Sequence, residues 1–202
     1  MTTTTDMREL IGRYRQTFNA ALSLEAMDVV PALGEALRKA WRDGRAIYLC
    51  GNGGSAGNAN HLANDFLYGA GVTNGGGLKV ESLSANPAVL TCLANDIGYE
   101  NVYAEQLRVK GEPGDVLIVL SGSGNSPNVV RALEVGAAKG MTTFAILGFT
   151  GGKCKGLAQH PIHFPVDDMQ IAEDLQMVIG HLCMQWLCAN PLTQPATSAA
   201  AE

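Results

Sequence analysis

Apolar residues along this chain follow two rhythms. From residue 6 to about residue 43 they recur at helical spacing and stop at "RDG", which predicts two helices. Short apolar runs ending in glycine or a polar residue follow. "AIYLCG", "LKVESL", "GDVLIVLSGSG" and "MTTFAILG" read as buried strands. "HPIHFPV" reads as a short edge strand, since proline is tolerated at an edge. Between them "SAGNANHLANDFL", "NPAVLTCLAND", "ENVYAEQLRVKG" and "SPNVVRALEVGAAKG" read as helices. The first of these takes Ser55 as its N-cap; the last has Pro127 near its first turn and Gly140 at its end. "MQIAEDLQMVIGHLCMQWLC" predicts a long closing helix.

Strands alternating with helices imply an α/β fold in three layers. A mostly parallel central sheet is flanked by helices, with an N-terminal helical pair and a long C-terminal helix. No long linker and no repeat interrupts the pattern, so residues 1–190 read as one domain. The tail 191–202, "PLTQPATSAAAE", reads as flexible.

Composition narrows the classes. A chain of 202 residues with 47% apolar residues is long enough for one ordinary core. A net charge of −5 argues against a broad basic face for nucleic acid, but not against a small phosphate held locally. No apolar run is long enough to span a membrane, and "MTTTTDMREL" lacks the order of a secretory signal. The five cysteines are scattered, odd in number and without a CxxC pair, which points to a reducing cytoplasm rather than to disulfides or a structural zinc site.

Two loops carry the candidate chemistry. "LCGNGGSAGNA" and "IVLSGSGNSPN" both place Gly, Asn and Ser between a strand and a helix. In an open parallel sheet that edge is where ligands bind. Glycine allows close backbone approach, the helix N-terminus offers free N–H groups, and serine hydroxyls can donate. Neither loop is GxxxxGK[ST], and the first, Gly51-Asn52-Gly53-Gly54-Ser55, is not GxGxxG. One such loop alone is equally a capped turn; two on one sheet edge point to a phosphate or another small anion. His61 and Asp65 stand four apart on the helix behind the first loop and share a face, as an exposed His–Asp pair also would. Glu173 and His181 lie on the closing helix, where a histidine among apolar residues is also what a core position looks like. His160 and His163 read as ordinary.

"CGNGGSAGNANHLANDF", "LSGSGNSPNVVRAL" and "ILGFTGG", taken together, resemble the sugar isomerase (SIS) domain and, within it, the phosphoheptose isomerases. The resemblance runs from about residue 5 to residue 190. It implies interconversion of sedoheptulose 7-phosphate and D-glycero-D-manno-heptose 7-phosphate through an enediol. It implies a phosphate cradle of Ser55, Ser121, Ser123 and Ser126, Asp96 near the sugar hydroxyls, and Asn52, Gly53, Gly122 and Glu173 as further substrate-binding residues. It also implies proton transfer by Asp65 and His181, a zinc ion held by His61, Asp65, Glu173 and His181, and a homotetramer with sites shared between subunits.

The chain departs from that family's pattern in places. Asp65 stands where the family has glutamate, Glu173 where it has glutamine, and Gly122 where the second loop usually has threonine. The four candidate ligands remain a suitable zinc set by type. Eight residues separate Glu173 from His181, about 12 Å along a straight helix, so a bent helix or different subunits would be needed to bring both to one ion. Two alternatives stay open. One is a non-catalytic SIS-domain protein, either DiaA-like and associated with the bacterial replication initiator or sensing sugar phosphates; the carboxylate and histidine at Asp65 and His181 distinguish an enzyme from it. The other is an isomerase redirected to another long-chain sugar phosphate, which the glycine-rich "YGAGVTNGGG" would suit by reshaping the far end of the pocket.

Overall fold

The computed structural model describes residues 6–71 and 76–192. The tail beyond residue 192 and the middle of "YGAGVTNGGG" lie outside them. The chain opens with α1 (Met7–Leu22), started by Asp6, whose carboxylate accepts the N–H of Arg8. A 3₁₀ turn (Glu25–Val29) leads into α2 (Val30–Arg42), which stops where Gly44 takes a positive φ. Strands and helices then alternate: β1 (Ile47–Cys50), α3 (Gly54–Leu67), β2 (Val80–Ser82), α4 (Pro87–Ile97), α5 (Ala104–Lys110), β3 (Val116–Ser121), α6 (Pro127–Ala138), β4 (Thr142–Leu147), α7 (Gly152–Leu157), β5 (His160–His163) and α8 (Met169–Ala189).

The five strands form one sheet in the order β2-β1-β3-β4-β5, and every pairing is parallel. β1, β3 and β4 are covered on both faces, which is why they read as unbroken apolar runs. Alternate residues divide between two cores. Ile47, Leu49, Ile118 and Leu120 pack with α2, α3 and α8; Tyr48, Cys50, Leu117 and Val119 pack with α5 and α6. The chain reverses direction across the sheet between β1 and β3. Ligands of doubly wound sheets bind at that switch point, and the two glycine-serine loops leave the sheet there.

Three local expectations differ from the structure. Ser55 is not the N-cap of α3: Gly53 is, with φ 54° and ψ −122°, a conformation that side chains disfavour. Ser55 instead lies buried in the first turn, and its Oγ accepts a hydrogen bond from Gln176 Nε2 at 3.1 Å. The "LKVESL" strand pairs only over Val80–Ser82. The six-residue α7, "GKCKGL", was not expected, because two glycines and two lysines in so short a segment leave no helical signal.

Candidate functional site

The first loop is shaped by backbone before any side chain acts. Gly53 turns the chain so that the first N–H groups of α3 open onto the sheet edge; no side chain caps them. Gly51 is forced by packing, since a Cβ there would stand 2.7 Å from Ser55 O and 2.8 Å from Leu120 O. The second loop ends at Ser126, the N-cap of α6, which makes no side-chain cap bond either. Ser121 Oγ accepts the N–H of Gly124 at 3.0 Å, and Ser123 Oγ accepts the N–H of Asn125 at 3.3 Å. Both hydroxyls thus hold the turn in shape while their own protons stay free to be donated.

Together the two loops line a cavity of about 270 Å³. The four expected cradle serines, Ser55, Ser121, Ser123 and Ser126, face it together with Asn52, Gly53 and Gly122. Two helix N-termini and four serine hydroxyls converging on one small cavity are suited to seat an anion. Gly122 has a structural reason as well: a Cβ there would meet Met169 Sδ at 2.5 Å, so the methionine fills the space a threonine would take.

A polar network that sequence reasoning missed braces the first loop. Asn52 and Asn128 exchange amide hydrogen bonds at 2.9 and 2.8 Å. Tyr99 donates to Asn52 Oδ1 at 2.9 Å, and the Tyr103 hydroxyl donates to Gly51 O. Burial pushes the Tyr103 hydroxyl well above its usual range, so it serves as a neutral donor. Asn128 had a signal in retrospect, as the asparagine that ends the segment "IVLSGSGNSPN"; in the structure it is buried. Gln176 had one too, as a polar residue on the apolar stripe Ile171, Leu175, Ile179 of α8.

The "ILGFTGG" loop buttresses the second loop from behind. Gly148 N donates to Gly122 O at 3.0 Å, and a Cβ on Gly124 would come within 2.0 Å of Gly151 O. Phe149 is the non-glycine residue with positive φ among the described residues, at 45°, and His163 Nε2 lies 2.9 Å from its carbonyl oxygen. His163 therefore helps hold a strained backbone. His160 stacks on Phe144.

Behind the cradle, α3 and α8 run close together because Gly180 admits Leu62 against its backbone. That contact brings three candidate groups into one cluster. His61 Nε2 and His181 Nε2 are 3.3 Å apart, and Asp65 Oδ2 is 3.4 Å from each. Zinc donors stand about 2.0–2.2 Å from the ion, which sets tetrahedral donors about 3.4 Å from one another. Two imidazole nitrogens and a carboxylate oxygen at that mutual distance fit zinc and leave a fourth position open. The histidine side chains are about half exposed, 53% and 46%, so that position is reachable.

Two expected residues lie elsewhere. Glu173 does not join the cluster within one chain; its carboxylate lies against Gly54 in the lining of the anion cavity. Asp96, at the exposed end of α4, accepts from Asn95 Nδ2 at 2.8 Å and from Cys92 Sγ, and does not line the cavity. Six residues separate Ser55 from His61, about 9 Å of helix rise. A molecule touching both cradle and cluster must therefore be extended.

A family model described as the SIS domain matches residues 13–148. The phosphoheptose isomerase of Akkermansia muciniphila is 40% identical over 139 residues, spanning 69% of this chain and 73% of that protein. That of Rhodospirillum rubrum is 35% identical over 158 residues, spanning 77% and 84%. The solved structure of phosphoheptose isomerase GmhA from Neisseria gonorrhoeae superposes with a TM-score of 0.83 at 24% identity, covering 90% of this chain and 96% of that one.

Proposed function

The chain belongs to the SIS-domain family and, within it, to the phosphoheptose isomerases, and we propose that it interconverts sedoheptulose 7-phosphate and D-glycero-D-manno-heptose 7-phosphate. The observation that carries this reading for the chain's own residues is the His61–Asp65–His181 cluster, spaced as zinc donors are and set one extended molecule's length from an anion cradle.

The cradle binds the phosphate through the uncapped N–H groups of α3 and α6 and through the hydroxyls of Ser55, Ser121, Ser123 and Ser126. The phosphate end fixed, the open-chain sugar lies along α3 with its first two carbons at the cluster. Asp65 turns Oδ2 toward both histidines. Its other oxygen takes the proton from one carbon and returns it to the next. His181, whose Nε2 faces the metal position, would carry the hydroxyl proton between the adjacent oxygens through its other ring nitrogen. His61, Asp65 and His181 would hold the zinc ion, which when bound supplies Lewis-acid polarisation of the sugar carbonyl. Glu173 would complete a four-ligand set only by moving or from another subunit, and Asp96 would reach the sugar hydroxyls only from a neighbouring site.

Several broader readings go with this. Residues 1–190 act as one domain. The exposed Met7, Leu10 and Ile11 of α1 and the groove that Leu182 and Trp186 share with α2 favour an assembly, which we take to be a homotetramer. All five cysteines are free, in keeping with the cytoplasm, and no helix among the described residues is long and apolar enough to cross a membrane. The cluster argues against the non-catalytic alternative, which has no use for it.

The test is NMR of sedoheptulose 7-phosphate incubated with the protein, with zinc and with a chelator. Aldose signals that appear with zinc, and are lost with the chelator and with His181→Ala, are expected. A folded protein that converts nothing in either tube would overturn the assignment.

A further inference from the structure

The anion cavity contains a charge that a phosphate seat should not have. Of the eleven residues lining it Glu173 is the charged one, and neither lysine nor arginine is among them. Its placement is close and specific. A Cβ built on Gly54, the first residue of α3, would stand 2.4 Å from each carboxylate oxygen of Glu173. Only a glycine lets the carboxylate lie flat against that first turn.

The neighbours of Glu173 fix its backbone there. Asn58 Nδ2 donates to Glu173 O at 2.9 Å, and Gln176, one turn on, donates to Ser55 Oγ at 3.1 Å. The side chain is thus carried to the α3 N-terminus by two hydrogen bonds between α8 and α3. Uncapped N–H groups and the positive end of the helix dipole favour a negative group at that spot. A carboxylate and a phosphate dianion repel one another there, and among the described residues of this chain no cation in the lining screens one from the other.

We propose that Glu173 is a resident anion of the cradle, which occupies the phosphate seat and must be displaced by any phosphate that binds there. This rests on the cradle being the seat of the sugar phosphate. Free inorganic phosphate has only the seat with which to displace the carboxylate. A sugar phosphate has its hydroxyls and carbonyl as well, so it can meet that cost from contacts elsewhere. Glu173 thus raises the threshold for every anion at the seat, which a sugar phosphate meets with its further contacts and free inorganic phosphate meets with the seat alone.

The test compares wild type with Glu173→Gln, which keeps the shape and removes the charge, and with Glu173→Ala, which empties the space. Binding of inorganic phosphate is measured by calorimetry in the presence of a chelator, so that no metal bridges the two anions. Both variants should bind inorganic phosphate at least tenfold more tightly than wild type, and phosphate should raise their melting temperatures more. Inhibition of isomerisation by inorganic phosphate should strengthen in Glu173→Gln in the same ratio. Equal or weaker phosphate binding in both variants overturns the proposal. Conversion of sedoheptulose 7-phosphate by the wild type reads the functional assignment separately. Conversion without the affinity gain sinks only the role of Glu173. An affinity gain without conversion supports that role and sinks the assigned reaction.

Discussion

Gly180→Ala tests whether helix packing sets the geometry of the proposed metal centre. Gly180 and His181 are adjacent on α8, as Leu62 and His61 are on α3. An added Cβ would stand 2.1 Å from Leu62 Cδ2, where ordinary contact starts at 3.4 Å, so about 1.3 Å must be found. Leu62 is only 1% exposed, so any shift it makes must be accommodated by repacking within the core. Overpacking of this kind costs roughly 1–3 kcal/mol. Alanine in a helix interior returns about 1 kcal/mol relative to glycine. The net expectation is a loss of up to about 2 kcal/mol, or a melting temperature lower by up to roughly 8 °C for a chain of this size. The larger effect falls on the cluster. If α3 and α8 part, His61 Nε2 and His181 Nε2 move off their 3.3 Å separation. Zinc affinity, measured by competition with a chromophoric chelator, should then fall at least tenfold. Adding Leu62→Ala removes the obstacle and should restore zinc binding, although alone it costs roughly 2–5 kcal/mol as a cavity. The two changes must therefore be non-additive. A Gly180→Ala protein that is about 1 kcal/mol more stable and binds zinc as before would refute the reasoning.

His181→Ala should leave stability within about 0.5 kcal/mol, as its side chain is half exposed, and lower conversion by about 10² to 10⁴-fold; a rate within threefold of wild type by NMR would count against its role. Gly122→Thr must displace Met169 Sδ, 2.5 Å from the new Cβ, and should weaken inorganic phosphate binding. Met169→Ala in the same chain should recover it, and calorimetry reads both. At high pH, burial raises the Cys154 thiol to about 11 and the Cys183 thiol to about 12 from an ordinary 9.0, and raises the Tyr48 hydroxyl to about 12 from 10.0. Each folded value lies above the unfolded one, so the stability these groups contribute is complete below about pH 9 and is lost as pH rises toward 12. Urea midpoints should fall across that window, and a flat profile would contradict it.

The strands were legible because a sheet covered on both faces needs uninterrupted apolar runs, and β1, β3 and β4 have them. Both glycine-serine loops were legible because tight strand-to-helix turns restrict residue type. The cap of α3 was misplaced by two residues: a serine beside a glycine looks like a cap, yet Gln176, far along the chain, takes that serine as its partner. Asn128 and Tyr103 were missed for the same reason, since their partners Asn52 and Gly51 are 76 and 52 residues away. His61 and Asp65 could be paired from the sequence because helical spacing places them on one face. That His181 joins them, while Glu173 faces the cradle instead, depends on how α3 lies on α8. The sequence by itself determined the alternation of elements, the sheet edge at which the two glycine-serine loops leave their strands, and the residue types proposed to do the chemistry, all consequences of local periodicity and backbone freedom. Only the tertiary structure decided which of those residues meet, because that depends on two glycines, Gly54 and Gly180, letting one helix approach another.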